Sequence, residues 1–292
     1  MDTILQKRTR ARGDSMSTLL EPQQALALVP GMDASAFHIQ PMSGGLTNRV
    51  YKVSTDDATF VLRLNANHTD AFGLDRCSEV DILAHAAAAG LAPEIIHADM
   101  NNGILLLRYI DGRVWTSDDL AVSKNLESLA ALLRSVHALP LSGKNFDAAA
   151  VASGYLNNLS SQQDLHKIGA RCNTIIECIA PPKHPCCCHN DVVAANVIVC
   201  SGLMLLDWEY ACDNDPLFDL ASVISYHTLG TMAADTLLCA YAGGVDAYMR
   251  ERLSDQIRLY NAMHWLWLAS REVLSPNPNQ ARQLTALQKI LA

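Results

Sequence analysis

His189-Asn190-Asp191-Val192-Val193-Ala194-Ala195-Asn196 sets one carboxylate, Asp191, a short loop ahead of an amide, Asn196. Met204-Leu205-Leu206 then runs apolar into Asp207-Trp208-Glu209-Tyr210. Phosphoryl transfer to a hydroxyl needs an acceptor for the hydroxyl proton and cations that offset phosphate charge. A loop of this length lets Asp191 face the acceptor while Asn196 turns its amide oxygen to a metal. An Asp ending a buried apolar strand is costly unless a partner such as a metal meets it. Asp207 is therefore expected to bridge Mg²⁺ and a triphosphate. His189 is expected to brace the loop through hydrogen bonds. Either element alone is a weak sign, since Asp207 also fits a solvated hairpin. In tandem and in this order they point to an ATP- and Mg²⁺-dependent kinase.

Two upstream features fit that chemistry. Ser43-Gly44-Gly45-Leu46-Thr47-Asn48 is a glycine-containing turn, whose backbone N–H groups can approach a phosphate closely. Taken alone it is a hairpin turn; ahead of a catalytic loop it reads as a cover over nucleotide phosphates. Arg63 stands in the β-rich run Phe60-Val61-Leu62-Arg63-Leu64, and Glu79 on the next helix is its candidate ion-pair partner. The two would match the strand base and helix acid that hold ATP phosphates in kinases, with bidentate contacts open to an Arg. An ordinary surface Arg is the alternative.

Periodicity places these motifs on elements. Phe37–Met42, Arg49–Ser54 and Ala58–Leu64 read as strands of an antiparallel meander. Asp75–Ala89 reads as a helix stopped by Gly90, and Ile95–Ala98 and Ile104–Ile110 as two further strands. The remainder is mainly helical, with a long helix over Asp118–Ala138 and several between Pro216 and Glu272. Short strands at Cys186–Cys188, Val197–Cys200 and Met204–Leu206 are set among the helices. The fold class is α+β: a five-stranded antiparallel sheet with one helix, then a mostly helical lobe. The expected divisions are a polar, flexible tail over residues 1–18, a nucleotide-binding lobe over 19–110, and a catalytic and acceptor-binding lobe over 111–292.

Bulk properties narrow the function. The 292 residues are 50% hydrophobic and 18% charged, enough apolar material for a sizeable core. The net charge of −8, from 22 basic and 30 acidic residues, disfavours nucleic acid as partner and suits a cationic substrate. No signal pattern or long apolar run is present, so neither secretion nor membrane spanning is expected. Nine cysteines without a CxxC pair read as buried, reduced thiols of a cytoplasmic protein. A zinc site from Cys186, Cys188 and His189 has spacing unlike known structural sites, and buried thiols are the simpler reading.

Taken together, the motifs resemble the aminoglycoside phosphotransferase and choline kinase superfamily, and more closely bacterial choline kinases and related thiamine kinases. The matching stretches are Ser43–Asn48, Val61–Leu64, His189–Asn196, Asp207–Ala211 and Asn214–Ala221. The resemblance implies a two-lobed, protein-kinase-like fold with ATP in the cleft. It puts adenine at a hinge near Leu107-Arg108-Tyr109-Ile110 and has Asp219 brace the catalytic loop from its helix. Choline kinases hold a quaternary ammonium in an aromatic and acidic pocket, for which Trp208, Glu209, Tyr210, Trp265 and Trp267 are available. Met263-His264-Trp265-Leu266-Trp267 departs from the family's late tryptophan segment, because its two tryptophans are two apart and diverge. Helix packing accounts for them equally. The implied reaction is phosphorylation of a small cationic alcohol, choline foremost. Thiamine or an aminoglycoside is the alternative acceptor, and an inactive nucleotide-binding protein the alternative outside enzymes.

Overall fold

The computed structural model describes residues 20–42, 48–65, 75–274 and 276–291. The expected tail over 1–18 and the turn residues Ser43, Gly44, Gly45, Leu46 and Thr47 lie outside them. Strands β1 (His38–Pro41), β2 (Asn48–Ser54), β3 (Thr59–Asn65), β4 (Ile95–Asp99) and β5 (Ile104–Arg108) form one antiparallel sheet in the order β1-β2-β3-β5-β4. The first three are consecutive neighbours, and β4 takes the outer edge beyond β5. Strand alternation sorts the side chains. Phe60, Leu62 and Leu64 pack with Ile104 and Leu106 against Ala25, Leu26 and Val29, on or just beyond α1 (Pro22–Ala27). Arg63 points the other way, towards α2 (Arg76–Ala88), whose Ile82, Leu83 and Ala86 join Leu105 in the large core. Asp75 caps α2 by accepting from the Cys77 and Ser78 N–H groups, 3.2 Å each.

Beyond the sheet, α3 (Ser123–His137), α4 (Ala148–Asn158), α5 (Gln163–Glu177), α6 (Pro216–Tyr226), α7 (Thr231–Ala242), α8 (Ala247–Leu274) and α9 (Pro278–Ile290) build the helical part. The helix expected over Asp118–Ala138 is divided. A 3₁₀ turn at Ser117–Ala121 precedes α3, and Val122 between them is extended (φ −95°, ψ 115°). Asp119 causes the break: its carboxylate accepts from the Thr116 N–H at 2.8 Å and from Arg113 at 2.7 Å, which anchors the turn. Leu126, Leu129, Leu133 and Val136 still form the buried face of α3.

Five short strands carry the loops that matter. β7 (Cys186–Cys188) pairs with β10 (Cys212–Asn214), and β8 (Val197–Val199) lies between β6 (Arg113–Val114) and β9 (Leu203–Leu205). Gly112 precedes β6 because a Cβ there would come within 2.5 Å of the Val199 carbonyl oxygen. The β8–β9 hairpin registers Val197 against Leu205, and the Leu206 N–H donates to the Asn196 carbonyl at 2.8 Å. The hairpin thus sets Asn196 and Asp207 at the same end of two paired strands. Among the described residues no helix is long and apolar enough to cross a membrane.

Candidate active site

The loop between β7 and β8 is fixed by buried polar contacts rather than by regular structure. Asp219 on α6 is fully buried and accepts from the His189 N–H at 2.9 Å, the Asn190 N–H at 2.7 Å and His137 Nε2 at 3.0 Å. Burial alone would raise its pKa; the bonds from His137 and the loop outweigh that and hold it below the usual carboxylate range. His189 Nε2 meets the Leu206 carbonyl at 2.9 Å, which only accepts, so Nε2 carries the proton. Its Nδ1 then accepts from the Asp191 N–H at 3.3 Å, and the ring packs edge-on against Trp208 at 4.9 Å between centroids. Burial lowers the His189 pKa and keeps the ring neutral. His189 therefore ties the two functional strand ends together from behind and does not reach the cleft. Removing the buried carboxylate in Asp219→Ala leaves two loop N–H groups and His137 without an acceptor. It is expected to cost about 3–5 kcal/mol of stability by denaturant titration, with Asp219→Asn recovering part of it.

Asn190 and Asp207 both hold left-handed backbone, with φ of 64° and 61°. Non-glycine residues adopt this conformation where surrounding contacts demand it. Asn190 Nδ2 donates to the Tyr210 carbonyl at 3.0 Å, and its Oδ1 accepts from Asn214 at 2.7 Å. The turn aims Asp191 into a cavity of about 380 Å³ that Asn196, Asp207, Glu209 and Tyr210 also line. Asn196 Nδ2 donates to the Asp191 carbonyl at 3.0 Å and to its Oδ2 at 3.1 Å, which presents Asn196 Oδ1 as the free end of the amide. Burial, then the nearby Glu209 charge, pushes the Asp191 pKa up to about 6.

Asp207 is crowded by the cleft walls and by Glu209, and its pKa is raised, with Arg63 only partly opposing this. Its side chain is 45% exposed, and water on that side moderates the shift. The carboxylates of Asp191, Asp207 and Glu209 in one cavity are an excess of hard anionic oxygen. With Asn196 Oδ1 they suit a hard divalent cation such as Mg²⁺, which takes oxygen ligands.

Arg63 is buried and pairs with Glu79 through both guanidinium ends, one bond measuring 2.7 Å, and lies 3.9 Å from Asp207. Arg76, which carried no sequence signal, adds a second bridge. It donates to Glu79 at 2.9 Å, to Glu209 at 3.0 Å and to Asn48 Oδ1 at 3.0 Å. Asn48 Nδ2 in turn donates to Glu209 at 2.8 Å. Glu209 thus lines the cavity while being held by β2 and α2. Arg108 is exposed on β5 and pairs with Glu94 at 2.6 Å. Tyr109 donates its backbone N–H to the Thr59 carbonyl at 3.2 Å and has Lys52 over its ring at 4.2 Å, and Ile110 follows it.

The aromatic candidates divide. Trp208 and Trp265 are 1% and 0% exposed and do not line the cavity, which corrects the expectation that they face an acceptor. Trp208 instead donates its Nε1 to the Leu205 carbonyl at 2.9 Å and backs His189. Two residues on a helix are about 200° apart, so Trp265 enters the core while Trp267 reaches the cavity. Trp267 Nε1 donates to the Tyr210 hydroxyl at 3.0 Å, and Arg271, which does not line the cavity, lies 5.0 Å from its ring centre. Tyr155, Tyr226, Tyr260 and His264 complete an aromatic wall from α4, α6 and α8. Burial lowers the His264 pKa to about 4, so this imidazole is neutral and does not repel a cation.

An acid-bearing loop, a second aspartate across a hairpin and a buried Arg–Glu pair over the cleft are the parts of a small-molecule kinase. The chain belongs to the phosphotransferase enzyme family, whose pattern matches residues 38–253. It is similar to protein LicA of Haemophilus influenzae, 27% identical over 258 residues, covering 80% of this chain and 74% of that protein. Among solved structures, a choline/ethanolamine kinase family protein from Mesorhizobium loti superposes with a TM-score of 0.70 at 23% identity, over 92% of each chain. Choline kinase LicA from Streptococcus pneumoniae gives 0.70 at 19% identity, over 87% of this chain and 94% of that one. LicA has also been solved in complex with AMP.

Proposed function

We propose that this protein transfers the γ-phosphoryl group of ATP to the hydroxyl of a small cationic alcohol, choline foremost. The observation that carries the acceptor class is the cavity itself. It sets Tyr155, Tyr210, Tyr226, Tyr260 and Trp267 beside the carboxylates of Asp191, Asp207 and Glu209. Ring faces attract a quaternary ammonium by about 0.5–2 kcal/mol each, and carboxylates add field without requiring an N–H donor. The likeness to LicA and choline kinases supports the same choice. The AMP held by LicA supports a nucleotide co-substrate.

In the reaction, the acceptor oxygen forms a bond to the γ-phosphorus as the bond to the ADP oxygen breaks, and the hydroxyl proton passes to Asp191. With a pKa of about 6, Asp191 is ionised at neutral pH and accepts the hydroxyl's hydrogen bond. Asn196 and Asp207 would hold Mg²⁺, which offsets phosphate charge. Arg63, set by Glu79, would face the triphosphate, and the segment Arg108-Tyr109-Ile110 would hold adenine. A panel of choline, ethanolamine, thiamine and an aminoglycoside, each scored by ADP release, tests the acceptor. Choline is expected to give the highest kcat/KM; a preference for the aminoglycoside would reject the proposal.

Trp267→Ala should raise the KM for choline roughly three- to thirtyfold, about 0.7–2 kcal/mol, and leave the KM for ATP nearly unchanged. Ethanolamine should suffer less. A sharp fall in melting temperature with an unmoved choline KM would make Trp267 a packing residue instead.

A further inference from the structure

Behind the catalytic loop, His137 at the end of α3 and Cys186 and Cys188 on β7 bring three ligand atoms within 4.8 Å of one another. We propose that these three side chains form a binding site for one soft-to-borderline divalent cation of the zinc class, separate from the Mg²⁺·ATP cleft.

The geometry favours a metal over the two obvious alternatives. Cys186 and Cys188 lie on the same face of an extended strand, and their sulfurs are 3.6 Å apart. Two Zn–S bonds of about 2.3 Å at a tetrahedral angle set sulfurs about 3.8 Å apart. A disulfide has Cα atoms mostly about 5.5–6 Å apart, and strand residues two apart, spaced by about 6.6 Å, stand at the far end of its range. Closing that bond would draw together residues whose spacing is set by the pairing of Cys188 with Cys212 and of Cys186 with Asn214. Inert, buried thiols are the other alternative, and they fit Cys187, which faces the core alone. They do not account for a second sulfur and an imidazole converging from another element. Cys186 is only partly buried, which leaves a path for an ion and a position for a water as fourth ligand.

His137 is already oriented as a ligand. Its Nε2 donates to Asp219 at 3.0 Å, the outer-sphere carboxylate that metal-binding histidines usually have. Its Nδ1 is left for the ion and accepts from the Tyr241 hydroxyl at 2.8 Å, a bond that rotation of the hydroxyl can release. His189, the imidazole nearest the thiols in sequence, is turned to the Leu206 carbonyl and plays no part. Through Asp219 the site touches the His189 and Asn190 N–H groups, so an ion here would clamp α3, β7 and the catalytic loop together.

The test uses the full chain, reduced and freed of metal, titrated with Co²⁺. One equivalent should give a thiolate-to-cobalt charge-transfer band with visible bands of tetrahedral intensity, and Zn²⁺ should displace it and raise the melting temperature. Cys186→Ser should abolish the band and weaken Zn²⁺ binding at least about a hundredfold, since even outer-sphere partners are worth about 10- to 100-fold. Cys186→Ala serves as a second variant if the serine protein does not fold. Replacing the exposed Cys77, Cys178 and Cys239 by Ser should leave the band intact, as should Asp207→Asn. Absence of the band in the native protein, its survival in both Cys186 variants, or its loss with the exposed cysteines would overturn the proposal.

Discussion

Asp191→Asn is expected to bind Mg²⁺·ATP as the native protein does while kcat falls about 10²–10⁴-fold, the usual range for loss of a general base. The substitution keeps shape and volume, and the bond from Asn196 Nδ2 to the residue 191 carbonyl at 3.0 Å survives it. What it removes is the only change that matters for chemistry, the capacity to take the hydroxyl proton. Stability should hold or improve. The pKa of Asp191 is raised in the folded protein, so keeping it ionised at neutral pH costs stability relative to the unfolded chain, and a neutral amide relieves that cost. Isothermal titration with a non-hydrolysable ATP analogue, next to steady-state turnover, separates the two effects. Near-native kcat would remove Asp191 from the reaction.

Asp207→Ala is expected to reduce activity about 10³-fold or more at any Mg²⁺ concentration, several kcal/mol of lost charge stabilisation. Nucleotide binding should lose its Mg²⁺ dependence at the same time. The direction of the stability change distinguishes this from damage to the fold. Burial, then the Glu209 and Asp191 charges, raises the Asp207 pKa, so its removal relieves a desolvation cost and like-charge repulsion. A left-handed residue, φ 61°, sits at this position, and Asp207→Asn is the companion variant that tolerates such backbone better. Equal or higher melting temperature with lost turnover is the expected pair of results. Retained activity with a retained Mg²⁺ requirement would make Asp207 structural.

Local patterns made the sheet, α2 and the loop that carries Asp191 readable. Alternation in Thr59–Asn65 and the helix stop at Gly90 after Arg76–Ala88 are set within single elements, and both elements form near where the sequence puts them, although α2 buries Glu79, Ile82, Leu83 and Ala86 and leaves Ala84 exposed. Signals that failed were non-local. β6 and β10 are two and three residues long and exist only through pairing with β8 and β7. Arg76 reads as any first-turn arginine with an acid one turn on at Glu79, yet it also joins Glu209, which is distant in sequence. The tyrosine wall comes from α4, α6 and α8 with no common spacing, so nothing in a linear reading assembles Tyr155, Tyr226 and Tyr260. Trp208 and Trp265 were misleading because an aromatic beside a functional residue can back it as easily as face a ligand. His137 was invisible for a similar reason: its partners, Asp219 and the β7 thiols, lie on later elements.

The central claim is that the cleft carries a phosphoryl group to the hydroxyl of a small cation. Phosphorus-31 NMR of the protein with Mg²⁺·ATP and choline tests it most directly. A phosphomonoester resonance should grow in step with ADP, be absent without choline, and grow at least about a hundredfold more slowly with Asp191→Asn. Release of inorganic phosphate alone, at one rate with and without choline, would contradict the claim.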